Sequence, residues 1–301
     1  MTREDASRRA AGVAAALLAV CIWAGWIPVT RLGVVTRLAP ADVAALRFGT
    51  AGLVLAPLLA LRWREVPWHR PWPLLALLLG AGVPYFLLFA YGLRLANSGQ
   101  GGVLGPGATS AFAALLAWAA LGERPRVRRF AGLALTAAGV ATVVVHDVLG
   151  GGARLAGFAL ILAASLGWAA YTVASRVLML RPVVNAAAVA VVNGSVFVPA
   201  YLAFGGAARL AAVPLADLAL QAFYQGILAA IVALVAFAVA IRRLGAAAAA
   251  SFAPLSPVLV ALFGWLLLGD AVDAATAAGL GAVAGGVVVA NGGVGAASAR
   301  R

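Results

Sequence analysis

From Ala11 to Ala290 the chain is a succession of apolar runs, each about as long as a helix crossing a lipid bilayer, with arginines and helix breakers between them. The hydrocarbon core of a bilayer is about 30 Å thick and takes ~20 apolar residues per helix. Breakers and arginines divide the chain into ten such segments: 11–32, 41–61, 72–92, 98–121, 129–147, 154–176, 186–205, 214–241, 246–268 and 272–291. A soluble reading fails on composition. Of 301 residues 64% are hydrophobic and 10% are charged, where soluble chains carry about 25% charged residues. The runs are also too long for a membrane β-barrel, whose strands are ~10 residues of alternating polarity. The expected fold class is an all-α integral membrane protein with ten transmembrane helices.

The net charge of +13 would suit an acidic partner, but its distribution does not. All 22 basic residues are arginine, set in small groups between the apolar runs rather than in one groove, which excludes nucleic-acid binding. With the N-terminus inside, the inner set is Arg3, Arg8 and Arg9; Arg62, Arg64 and Arg70; Arg124, Arg126, Arg128 and Arg129; Arg176 and Arg181; Arg242 and Arg243; Arg300 and Arg301. The outer set is Arg31, Arg37, Arg94, Arg154 and Arg209, while Arg47 falls within a span. Arginine excess marks the cytoplasmic side. The expectation is a multi-pass protein of the cytoplasmic (inner) membrane with both termini cytoplasmic. Arg8-Arg9 and the apolar run after them resemble a secretory signal, but the run continues through Trp23 and Trp26, so it reads as an uncleaved first helix. One cysteine, Cys21, allows neither an intrachain disulfide nor a cysteine-based metal site.

The chain also repeats itself. Trp23, Trp26 and Arg31 recur as Trp168, Tyr171 and Arg176 at an offset of 145. Trp118, Leu121, Gly122 and Glu123 recur as Trp265, Leu268, Gly269 and Asp270 at 147. Gly132 and Gly139 match Gly279 and Gly286, again at 147, and Pro106 matches Pro254 at 148. The two units are 11–147 and 154–291, with five spans each. Five is odd, so the second unit enters the membrane upside down. Inverted repeats are a recurring plan of secondary transporters, with substrate held near the midplane where the repeats meet.

The run Gly105-Pro106, Ala114 to Trp118, Gly122-Glu123, Phe130, Gly132 and Ala138-Gly139-Val140 resembles the end of an EamA repeat. That repeat defines a branch of the drug/metabolite transporter superfamily. Ala45-Leu46-Arg47-Phe48 is similar to its second-helix pattern, and Trp23 to Trp26 to its first. The second unit departs from it, with Val192-Asn193 opposite Arg47-Phe48 and Asp270 in place of a glutamate. The resemblance implies ten helices, cytoplasmic termini and export of amino acids or other small metabolites from a central cavity.

Several residues stand out as a substrate cavity. Arg47 lies about 9 Å into its span, and an intramembrane charge usually faces an interior or a cavity. It suits a substrate carboxylate. Trp23 and Trp26 are three apart, so one helix face should carry both rings, and Trp168 and Tyr171 repeat the arrangement. Pro84, Pro106, Pro254 and Pro257 interrupt helices inside the bilayer, where freed carbonyls need partners. Tyr85, Gln100, Tyr224, Gln225 and Ser251 are the polar groups near those breaks. The expected cavity set is therefore Trp23, Trp26, Arg47, Tyr85, Gln100, Pro106, Trp168, Tyr171, Tyr224, Gln225, Ser251 and Pro254.

No His, Cys and carboxylate cluster has metal spacing, and no serine has a nearby base, so neither a metal, a cofactor nor a catalytic residue is expected and an integral-membrane enzyme is the weaker reading. The expected partners are the lipid bilayer and a small-molecule substrate; the amino acid has a lipophilic drug cation as its alternative. All nine acidic residues fall outside the spans or at their ends, which points to uncoupled efflux or exchange. Glu123 reads as an interfacial anchor beside Arg124 and Arg126. The small faces Gly132/Thr136/Gly139 and Gly279/Val283/Gly286 should pack tightly; contact within one chain and contact in a homodimer are both open at this level.

Overall fold

Backbone amides find no water inside a bilayer, so a chain this apolar closes its hydrogen bonds along helices. The computed structural model describes residues 3–123 and 127–291, and no strand occurs among them. Arg124, Arg126, Arg300 and Arg301 of the arginine pattern lie outside the described residues. The helices are α1 (Arg3–Thr36), α2 (Pro40–Arg62), α3 (Pro71–Leu95), α4 (Ser98–Leu121), α5 (Val127–Leu149), α6 (Leu155–Leu178), α7 (Pro182–Ala211), α8 (Leu215–Leu244), α9 (Ala248–Leu268) and α10 (Ala274–Asn291). Among the described residues, α1 to α9 are each long and apolar enough to cross a membrane. The apolar stretch of α10, Ala274–Ala290, is shorter, but at 1.5 Å per residue it still covers about 26 Å.

The packing has the symmetry expected from the repeat. Helix α1 lies against α8 and α9, and α6 lies against α3 and α4. Helices α2 and α7 face each other, as do α4 and α9, and α5 and α10. Exchanging the first five helices for the last five turns α1–α8 into α6–α3 and α1–α9 into α6–α4, and leaves the other three pairs unchanged. Successive crossings of five helices reverse the direction of the second unit. The fold is two inverted five-helix repeats about a pseudo-twofold axis in the membrane plane.

The repeated Gly-acidic motif is a helix stop. Gly122 and Gly269 end α4 and α9 in the left-handed region, with φ of 68° and 66°. The N–H of Glu123 then reaches back to the carbonyl of Ala117, and that of Asp270 to Gly264. These are the bonds of a Schellman cap, which glycine accepts because it has no Cβ to clash. The cap fixes where each acidic side chain leaves its helix.

The small faces of α5 and α10 meet each other within the chain. A Cβ on Gly132 would lie 2.5 Å from the carbonyl oxygen of Gly286, and one on Gly139 would lie 2.8 Å from that of Gly279. Both contacts are with backbone, which cannot swing aside. Close backbone approach is what holds helices together where lipid offers no hydrophobic drive. Gly139→Leu should therefore lower the melting temperature of the detergent-solubilised protein by several degrees. An unchanged melt and normal expression would mean that this face is not packed.

Candidate functional site

The third helix of each repeat is irregular at the same place. Helix α3 breaks at Ala81-Gly82, ahead of Pro84, which lacks an amide hydrogen. Adding 145 to that break lands in α8 at the stretch Ala222–Val232, which is wound as a π-helix. At each distortion a side chain from another helix bonds the backbone. Asn193 of α7 accepts from the N–H of Val83 at 2.9 Å and donates to the carbonyl of Leu78 at 3.0 Å. In α8 Trp23 of α1 donates to Ala229 O at 3.3 Å, while the α8 side chains Gln221 and Tyr224 donate in return to α1 carbonyls, Val29 O at 2.8 Å and Ile22 O at 3.0 Å.

Arg47 of α2 reaches the distorted part of α8. Its Nη1 donates to Oε1 of Gln225 at 3.1 Å. Gln225 is fully buried, and its amide donates to Thr30 Oγ1 at 2.9 Å and to Gln221 Oε1 at 3.2 Å. The guanidinium sits 5.5, 5.8 and 5.6 Å from the ring centroids of Trp26, Phe48 and Phe86. Such rings attract a cation through their negative faces. Among the described residues no carboxylate lies within ion-pairing distance of Arg47. One polar bond and three rings therefore hold a partly buried positive charge that has no anion.

From Trp26 an aromatic chain crosses the bundle. Trp26 stacks on Tyr85 at 6.2 Å and 12°, Tyr85 meets Trp168 at 4.9 Å, and Trp168 meets Tyr171 at 4.9 Å. At its far end Tyr171 OH accepts from Asn185, whose Nδ2 also donates to Ser175. Two buried polar atoms along this line have no partner: Nε1 of Trp26 and Oδ1 of Asn185. Beside Tyr85, at the α3 break, a cleft of about 220 Å³ opens between α3 and α6, lined by Gly80, Pro84, Ala164 and Gly167 among others.

Trp26, Arg47, Tyr85, Trp168, Tyr171 and Gln225 thus form one continuous group, and the other expected cavity residues sit elsewhere. Trp23 does not share a face with Trp26; its ring packs at 5.4 Å on Phe237 of α8. Tyr224 spends its hydroxyl on the α1 backbone. Gln100 closes a reciprocal cap with Asn97 at the start of α4. Ser251 bonds Ala248 O in the turn that precedes Pro254 and the main run of α9, while the carbonyl of Pro106 accepts from Ser110. Glu123 has Arg176 of α6 as its described partner, at 3.1 Å. Asn193, Gln221, Asn185 and Phe86 were not singled out by sequence. Asn193 carried a signal, since it is the polar residue standing where the first repeat has Phe48.

The family model of the EamA-like transporter family matches residues 10–145 and again 155–292. The chain belongs to the EamA-like transporter family. No curated protein matches it. A solved structure titled only "Crystal structure of protein" is similar over 94% of this chain and 96% of its own, with a TM-score of 0.60 and 21% identity. At that identity it speaks for the fold of this EamA-like transporter and for nothing further.

Replacing Asn193 with Leu keeps the volume and removes the bonds across the α3 break. The stranded Val83 amide and Leu78 carbonyl should cost about 1–3 kcal/mol, read as a lower unfolding midpoint in mixed micelles. A midpoint equal to the unaltered protein would mean that the break satisfies itself by another route.

Proposed function

We propose that this EamA-like transporter exports small carboxylate-bearing metabolites, amino acids foremost, across the cytoplasmic membrane, with both termini on the cytoplasmic side. The observation that carries the reading is the anion-less guanidinium of Arg47 among Trp26, Phe48 and Phe86. A charge in a low-dielectric interior is stable only when paired or bonded, and a substrate carboxylate completes this one. Bonds to charged groups are worth roughly 1.5–3 kcal/mol each. The cleft beside Tyr85 is lined by small and apolar residues, Gly80, Ala164 and Gly167 among them, and offers space for an apolar side chain. A lipophilic cation would meet the positive charge of Arg47 instead.

Nothing catalytic enters this reading; the work is transport by alternating exposure of the site. The described carboxylates also favour uncoupled movement. Asp42, buried near the start of α2, is fully engaged by Tyr201 at 2.7 Å, Arg209 at 3.2 Å and the N–H of Ala39 at 2.8 Å. Asp147 at the end of α5 accepts from the N–H of Arg154 at 3.1 Å. Both are spoken for as helix ties, which suits efflux or exchange down a metabolite gradient.

Two transport measurements test this. In proteoliposomes loaded with labelled amino acids, nucleosides or cationic dyes, amino acids should move fastest, and Arg47→Ala should slow them about tenfold or more while the protein folds normally. Wild-type rates in a folded Arg47→Ala protein would remove the carboxylate role. An imposed pH gradient without a substrate gradient should drive no accumulation; accumulation abolished by a protonophore would replace uncoupled movement with proton coupling.

A further inference from the structure

The repeat that relates α1 to α6 and α4 to α9 also relates two ion pairs, and both pairs cross between the repeats. Arg31, near the end of α1, meets Asp270, just past the end of α9, with Nε at 3.3 and 3.1 Å from the carboxylate oxygens. Arg176, near the end of α6, meets Glu123, just past the end of α4, at 3.1 Å. The arginines are 145 apart and the acids 147 apart, the offsets of the whole repeat. Because the repeats are inverted, the two pairs stand at opposite faces of the membrane. Each joins the first helix of one repeat to the fourth helix of the other.

The pairs are alike in design but not in state. The Arg31 and Asp270 side chains are 18% and 9% exposed. The same guanidinium donates to the carbonyls of Leu93 and Ala96, and Asp270 accepts from the N–H of Ser98 at 2.8 Å. Four helices, α1, α3, α4 and α9, are tied together there, and the Asn97–Gln100 cap holds the start of α4 in place. At the other face the Arg176 and Glu123 side chains are 50% and 45% exposed and share one hydrogen bond. The matching α8–α9 junction passes through Gly245, at φ 86°, and its first helical turns give way to a run of turns at Ser251–Pro254. A buried, multiply bonded pair resists opening, whereas an exposed pair holds weakly.

The geometry points to Arg31–Asp270 and Arg176–Glu123 as reciprocal latches of the transport cycle, one drawn in and locked while the other is slack. In the opposite state Arg176–Glu123 is buried by α6, α8, α9 and α4, and Arg31–Asp270 comes apart. The latches are positioning residues: they touch no substrate, and they set which face of the membrane the central site meets. The inference rests on the chain being a transporter but not on the carboxylate at Arg47. Weakening one latch moves the two-state equilibrium by whatever that latch contributed to one state and not the other.

The test reads both faces without substrate. Two reporters, Ile27→Cys and Thr172→Cys, each four residues before its latch arginine and 145 apart, are placed singly in a Cys21→Ser background. A membrane-impermeant maleimide is then applied to each face in turn. With both latches intact, Thr172→Cys should react faster from its own face than Ile27→Cys does from the opposite one. Asp270→Asn should raise labelling of Ile27→Cys on the order of tenfold and lower that of Thr172→Cys, and Glu123→Gln should do the reverse. If Asp270→Asn does not fold, Arg31→Lys, which keeps the charge and loses the forked geometry, takes its place with the same expected direction. A change confined to the near reporter, a rise at both, or no change at either would reduce the pairs to simple ties and overturn the inference.

Discussion

Lipid offers the backbone no hydrogen-bond partner, and the irregular helices at the centre of this bundle persist because other helices supply one. At the α3 break that partner is Asn193 from α7, and in the π-wound part of α8 it is Trp23 of α1, while Gln221 and Tyr224 of α8 bond α1 carbonyls in return. Those bonds do more than repair the backbone. They bring Gln225 under Arg47 and leave Tyr85, on the first turn after the α3 break, between Trp26 and Trp168.

The symmetry of the fold and the asymmetry of its residues divide the work. Packing of α1 on α8 has its counterpart in α6 on α3, and that of α1 on α9 in α6 on α4. The residues at matched positions differ. Arg47 stands opposite Val192, Phe48 opposite Asn193 and Trp26 opposite Tyr171. The cation therefore belongs to one repeat alone, while the counterpart of Phe48 in the other repeat, Asn193, bonds across a helix break. The first repeat provides the charge, and both repeats line the gap beside Tyr85.

Much of the fold was legible because lipid makes the rules simple. Run length, arginine spacing and the 145–148 offset were enough for ten helices and their inversion, since a span needs a fixed number of apolar residues and an odd count fixes direction. The expected end of α7 at 205 is where its helix kinks, at Phe204 and Gly205 with φ 83° at the glycine; less legible was the short helix beyond it, Ala207–Ala211, from which Arg209 reaches back to Asp42. The site was half legible. Arg47 and Gln225 announced themselves as polar groups inside apolar runs, and the structure bonds them to each other. Spacing misled for Trp23 and Trp26, whose 100° steps around the helix point the rings at different neighbours, and Gln100 proved to be a cap that periodicity cannot tell from a ligand. The Gly-acidic motifs showed as a repeat, but that they fix two ion pairs across the halves needed the fold.

A substrate carboxylate at the unaccompanied guanidinium of Arg47 is the core of the proposed function. Its most direct test is equilibrium binding to the purified protein, by calorimetry, of an aromatic amino acid, its methyl ester and the corresponding amine. These ligands share a side chain and differ in the charge offered to Arg47. The ester and the amine should bind about tenfold or more weakly than the acid, and Arg47→Ala should erase the difference by weakening the acid alone. Equal affinity for all three ligands in the unaltered protein, or a preference for the acid that survives Arg47→Ala, would contradict it.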